Sequence, residues 1–117
     1  MWRQRPLAWF CAVILAGCGS RTATILGRAP EDDPERVAAV RAAPESSPAT
    51  LRGVMVEKCP VAGCWFILRD DTGAIKVDTK EAGFVVVNVP LKTEMTVTGK
   101  VVANGSERMI QASGLRY

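Results

Sequence analysis

The 117 residues contain no histidine. That absence excludes Ser-His-Asp and Cys-His nucleophile pairs, His-ligated zinc or haem, and a histidine pH switch. Charge of one sign is also in short supply. Lys and Arg total 15 against 12 Asp and Glu, and +3 is too weak to point to nucleic acid or to an acidic partner. No apolar run approaches the ~20 residues that a membrane-spanning helix needs. The chain length suits a single domain, but the apolar residues are spread unevenly. Thirteen fall in the first 18 positions, and 11 of the 14 valines fall in the last 67. The pattern predicts three parts.

The first part, MWRQRPLAWFCAVILAGC, has Arg3 and Arg5 ahead of an apolar run from Leu7 to Ala16. The run has the length and flanks of a signal-peptide core and is too short for a span. It ends in Leu15-Ala16-Gly17-Cys18, which resembles the lipobox of bacterial lipoproteins. The resemblance implies a signal peptide over residues 1–17, cleavage before Cys18, and lipid on the Cys18 sulfur and on its new amine. Small residues before the cysteine suit a narrow protease site, and several acyl chains anchor far more firmly than one. Gly19 and Ser20 follow, with no Asp next to the cysteine. In diderm bacteria this resembles outer-membrane sorting. The expected location is therefore the cell membrane or outer membrane, exported and lipid-anchored.

Residues 18–50 read as a lipidated terminus and a flexible linker. From residue 19 on, four Arg offset five acids among Pro, Ala and Ser. Such composition buries too little apolar surface to offset chain entropy. One island, Asp33-Pro34-Glu35, has the form of a helix start, and Pro44 ends it, which gives a short helix over 34–43. Ten residues are marginal as an isolated helix, although Val37, Val40 and Arg41 could dock on a neighbouring domain. As a coil, the linker would reach about 30 Å.

Residues 51–117 show strand periodicity with turn punctuation. Five strands are predicted: Leu51–Lys58, Cys64–Arg69, Ala74–Thr79, Glu94–Val102 and Glu107–Leu115. Asp70-Asp71-Thr72-Gly73 makes one turn, and Ala103-Asn104-Gly105-Ser106 another, since Asn-Gly accepts positive φ at both places. The apolar segment Phe84–Val89 lies between strands three and four. Three strands, a non-strand connection and a hairpin are the order of the OB-fold, so the expected fold class is all-β, a five-stranded OB-fold-like barrel. Leu68-Arg69-Asp70-Asp71-Thr72-Gly73-Ala74-Ile75-Lys76-Val77 resembles the second hairpin of the anticodon-binding OB domains of class II aminoacyl-tRNA synthetases. In layout the segment is also similar to small exported bacterial OB proteins with a Gly-Cys-Trp centre, here Gly63-Cys64-Trp65.

Strand two is apolar on both faces, unlike an ordinary half-solvated strand. A two-residue turn places Ile75 by Leu68 and Val77 by Phe66 as core. It leaves Trp65, Ile67, Arg69, Lys76 and Asp78 on the outer face, where OB-folds bind. A three-residue loop would shift the register by one and bury Trp65. The synthetase resemblance implies that Trp65 stacks on a base, whereas Lys76 stands where those domains carry Gln. The region has nine Lys and Arg against seven acids and only four aromatics, Trp65, Phe66, Phe84 and Tyr117. A strand-tracking groove wants a basic stripe with several stacking platforms, so nucleic acid is the weakest partner class.

Cys59 and Cys64 remain once Cys11 and Cys18 are assigned to the leader and to lipid. An even pair in an oxidising compartment favours a structural disulfide. The alternative is a redox pair or a soft-metal site such as Cu(I), but the spacing is not Cys-x-x-Cys at a helix start. Asp70 and Asp71 mimic a paired-carboxylate site, yet they stand where a turn needs them. The expected function is a membrane-anchored, non-catalytic module that binds an envelope protein or a small ligand, with no cofactor and no metal.

Overall fold

The structure is a computed structural model that describes residues 22–117. The expected leader over 1–17 and the lipidation site Cys18 lie outside the described residues. Five strands form the barrel: β2 (Pro48–Lys58), β3 (Trp65–Asp70), β4 (Gly73–Asp78), β5 (Glu94–Asn104) and β6 (Glu107–Arg116). They match the five predicted strands to within a few residues at each end. A short strand, β1 (Ile25–Gly27), and a five-residue helix, α1 (Val37–Arg41), precede them. The strand order is β1-β6-β4-β3-β2-β5, and pairing of β5 back to β6 closes the barrel. Pairs are antiparallel except β4 with β6, where Val77 and Asp78 lie opposite Ile110 and Gln111. The fold is an OB-fold with one added edge strand.

Alternation along each strand builds the core. Leu51 and Met55, Phe66 and Leu68, Ile75 and Val77, Met95 and Val97, and Ile110 and Leu115 are all buried. The hairpin register is the two-residue one, with Phe66 opposite Val77 and Leu68 opposite Ile75. The long strands β2 and β5 curl through register shifts at Met55/Glu57 and Thr98/Gly99, so each serves two neighbours. The connection after β4 forms a turn at Thr79–Gly83, then sends Val86 and Val89 into the core. The Lys58 ammonium donates to the carbonyls of Val87 and Val89, which ties this plug to β2.

The linker reading fails over most of its length. From Thr24 onward the chain is part of the domain. Thr24 and Tyr117 exchange backbone hydrogen bonds of 2.7 and 2.9 Å, and Ile25–Gly27 pairs with Gly114–Arg116. Gly114 permits this approach, because a Cβ there would lie 1.8 Å from the Arg28 carbonyl oxygen. The helix is also shorter than expected. Glu35 is extended, donating to the Thr50 carbonyl at 2.7 Å and bridging Leu51, so no helix starts at Pro34 and Asp33 caps nothing. Polar composition misled here because two valines suffice: Val37 and Val40 are fully buried against the barrel. The free N–H groups of so short a helix need partners, and the β3–β4 turn supplies them. Asp70 Oδ2 accepts from Val37 at 2.9 Å and Thr72 Oγ1 from Ala38 at 3.0 Å.

Candidate functional site

Trp65, Ile67 and Arg69 leave β3 on the side opposite to buried Phe66 and Leu68. Across the hairpin, Asp78 lies opposite Trp65 and Lys76 opposite Ile67. The alternative register, with Trp65 in the core, is not adopted. Trp65, Ile67 and Lys76 are each half-buried, as side chains standing on a sheet surface are. The Lys76 ammonium sits 5.2 Å from the centroid of the Trp65 ring, within the range of cation–π attraction.

Beside this pair runs an open groove of about 280 Å³ between the sheet, the β5–β6 hairpin and α1. Ile67 and Lys76 form part of its floor, Asn104, Glu107 and Arg108 one wall, and Arg41 the other. Three cations face one carboxylate. The two arginines are positioned by the fold. Arg41 donates to the Ala74 carbonyl at 3.0 Å, and Arg108 to the Ala43 carbonyl at 3.1 Å. Each keeps further guanidinium donors for a ligand. Residue types alone did not mark Arg108, Asn104 or Glu107. The Asn-Gly turn was the available signal, because it sets which residues flank the sheet face.

Two expected members of the face have other work. Asp78 accepts the Lys80 backbone N–H at 2.7 Å and lies 3.9 Å from its ammonium, so it shapes the turn under Trp65. Arg69 is exposed but lines a second recess with Arg36, Arg52, Asp71 and Glu94. The carboxylate pair is structural. Asp70 Oδ1 accepts from the Thr72 and Gly73 backbone at 2.7 and 3.2 Å and from the Thr72 hydroxyl at 2.6 Å, while Asp71 pairs with Arg36. Burial pushes the Asp70 carboxyl up, but the hydrogen bonds from the Thr72 hydroxyl and from the Val37, Thr72 and Gly73 backbone outweigh it. The net effect holds the group below the usual carboxylate range.

The expected disulfide is not formed: Cys59 and Cys64 are free thiols. Cys59 donates its N–H to the Trp65 carbonyl at 3.1 Å, which extends the β2–β3 pairing by one step. Cys64 stands one residue before β3 and, like Cys59, is partly exposed. The loop between them is a single helical turn, closed by a 3.1 Å bond from Gly63 N–H to the Cys59 carbonyl. Gly63 has φ of 64°, and a Cβ there would meet the Val87 nitrogen at 2.5 Å, so only glycine fits. Backbone N–H groups of Ala62 and Val61 face the Cys59 sulfur and hold its thiol below the ordinary range against a smaller push from desolvation; those of Gly63 and Cys64 add to them. Among the described residues no three His, Cys, Asp or Glu side chains converge as a metal set would.

The architecture has a solved counterpart in the hypothetical protein ygiW from E. coli. The two share 20% identity and a TM-score of 0.58 over 74% of this chain and 91% of that one. At that identity the likeness establishes the fold. No curated protein matches the sequence. The family described as Bacterial OB fold (BOF) protein matches residues 24–116, which takes in β1 and α1 as well as the five barrel strands. The chain belongs to the bacterial OB-fold protein family.

Proposed function

We propose that this protein is a lipid-anchored component of the bacterial cell envelope whose barrel is a non-catalytic binding module. The observation that carries the binding reading is the Trp65–Lys76 pair beside a groove edged by Arg41 and Arg108. A flat apolar ring with cations around it suits a ligand that has one planar or ring face and one anionic group. The anchor rests on Leu15-Ala16-Gly17-Cys18 and on the apolar run before it. A binding role also fits the chemistry of the site, since of the two carboxylates that resemble an acid–base pair Asp70 is spent on turn and helix capping and Asp71 on Arg36.

The fluorescence of Trp65 tests this reading. In a chain carrying Trp2→Phe and Trp9→Phe it is the only tryptophan. Titration with anionic glycans, peptidoglycan fragments, oligonucleotides and Cu(I) should change its emission for one ligand class, and Lys76→Gln with Arg108→Gln should weaken that response. A deeply blue emission that answers to none of them would sink the binding-face reading. A response confined to oligonucleotides and abolished by salt would move the module to nucleic-acid binding.

A second reading has one observation behind it, the N–H groups gathered around the Cys59 sulfur. They favour a thiolate, as a soft-metal ligand or a redox thiol requires. Cu(I) in the same titration separates it from the first, because Cys59→Ser removes a metal response and leaves a ligand response intact.

A further inference from the structure

We propose that the barrel docks flat on an anionic phospholipid surface through the outer side of β1, β6, β5 and β2, with Arg116 and Arg52 facing the lipid headgroups. The proposal rests on the lipoprotein reading of Cys18 and deepens it.

The first observation is the length of the leash. A flexible linker to residue 50 would let the domain float far from its anchor. The chain is instead pinned at Thr24 by two hydrogen bonds to Tyr117, and only five residues, six Cα–Cα steps, separate Cys18 from Thr24. Fully extended, six such steps span at most about 22 Å, and as a coil they average about 13 Å. An anchor at Cys18 therefore holds this end of the barrel at the bilayer whatever the intervening residues do.

The second observation is the surface found there. Ile25 lies opposite Arg116, Arg116 opposite Thr96, and Thr96 opposite Arg52. These four residues make one row across four neighbouring strands. Their chain neighbours Leu115, Met95, Val97 and Leu51 are buried, so the row points outward. Ile25 is 48% exposed, one of the few large apolar side chains left in water. Between the arginines lies a shallow recess of about 220 Å³, lined by Ala23, Thr96 and Tyr117 as well, with two arginines against the single carboxylate of Glu94. Ala23 is part of the leash, so the chain towards Cys18 leaves from the rim of this recess. Arg116 spends one nitrogen on the Pro30 carbonyl, and Arg52 one on Glu94. The remaining donors of both are available to phosphate oxygens. The coil's average of about 13 Å exceeds the ~8 Å screening length of physiological salt, so the attraction acts on the closer approaches that so short a leash makes frequent.

The orientation has a consequence for the binding face. The row occupies the wall made by β6, β5 and β2, while Trp65 and Lys76 stand on the β3–β4 wall across the closed barrel. A domain seated on its arginine row presents the Trp65 groove away from the bilayer.

The test uses the full chain, purified from membranes and reconstituted in phosphatidylethanolamine–phosphatidylglycerol vesicles with brominated acyl chains. Trp2→Phe, Trp9→Phe, Trp65→Phe and Ile25→Trp leave one reporter at position 25; a second protein keeps only Trp65. Bromine should quench position 25 about twofold or more and leave Trp65 nearly untouched, as expected for a residue at the headgroup boundary and one facing water. Arg52→Gln, at an exposed position, should reduce that quenching, as should vesicles of phosphatidylcholine alone. A chain with no lipid mass on Cys18 overturns the lipoprotein reading and the docking together. A lipidated chain quenched no more at 25 than at 65, or equally in both kinds of vesicle, overturns the docking alone.

Discussion

Asp70 Oδ2 accepts the backbone N–H of Val37 at 2.9 Å, across 33 positions of sequence. One carboxylate thereby closes the β3–β4 turn and caps a helix that has no side-chain cap of its own. Losing such a cap costs about 1–2 kcal/mol. Asp70→Ala should therefore lower the melting temperature by about 5–10 °C. Asp70→Asn, which keeps an acceptor oxygen, should cost less, and thermal unfolding of the three proteins checks the order.

The same carboxylate gives an acid dependence. Its folded pKa lies below the unfolded one, so its stabilisation is fully present above the ordinary carboxylate range and is lost as pH falls through the depressed value. The stability gap between the parent and Asp70→Asn should stay constant above about pH 5 and shrink below about pH 4. Urea unfolding across that range reads it, and a gap that widens in acid would contradict the capping role.

Val37 and Val40 make α1 part of the core. Replacing either with Ala removes buried methyl groups and should cost about 1–3 kcal/mol. Ala38→Ser, on the exposed side of the helix, should be near neutral. Amide exchange over residues 34–43 should be as slow as the weaker barrel strands, where a free linker would exchange at once.

Lys76 over Trp65 should be visible spectroscopically. Lys76→Gln removes an attraction of about 0.5–1 kcal/mol at a partly exposed site. It should shift the Trp65 emission in a chain without Trp2 and Trp9, while the fold stays intact by circular dichroism. An unchanged spectrum would mean that the ammonium does not rest on the ring.

Cys59 should react faster than Cys64. Its thiol pKa is lowered by N–H groups of the loop, which raises the thiolate fraction near neutral pH. Iodoacetamide followed by peptide mass should label Cys59 first, and unreduced, denatured protein should titrate both thiols. A missing signal from the pair would show that they are bridged.

Much of the barrel was legible because a strand carries its burial in its own alternation. Phe66 and Leu68 against Ile75 and Val77 follow from a two-residue turn at Asp71-Thr72, and with them the outward placement of Trp65 and Lys76. The groove was not legible in full. Arg41 and Arg108 meet Lys76 only because α1 docks beside β4 and the β5–β6 hairpin folds over the same face. Nor were the free thiols. Two cysteines five positions apart fit a short bridged loop, but that loop turns its own backbone N–H groups to the Cys59 sulfur and the thiols stay unbonded.

The local pattern of the sequence by itself determined five strands, their turns, the hairpin register and the likeness to an exported lipoprotein, since all of these depend on residues close together in the chain. Tertiary structure decided where the domain begins. Residues 22–50 have too few apolar groups to order alone, and they fold because the barrel supplies what they lack. Leu51 and Thr50 give Glu35 a strand edge, Asp70 and Thr72 cap α1, the core takes Val37 and Val40, and Gly114 leaves room for β1. What composition presents as a 32-residue linker is, from Thr24 onward, part of the folded domain.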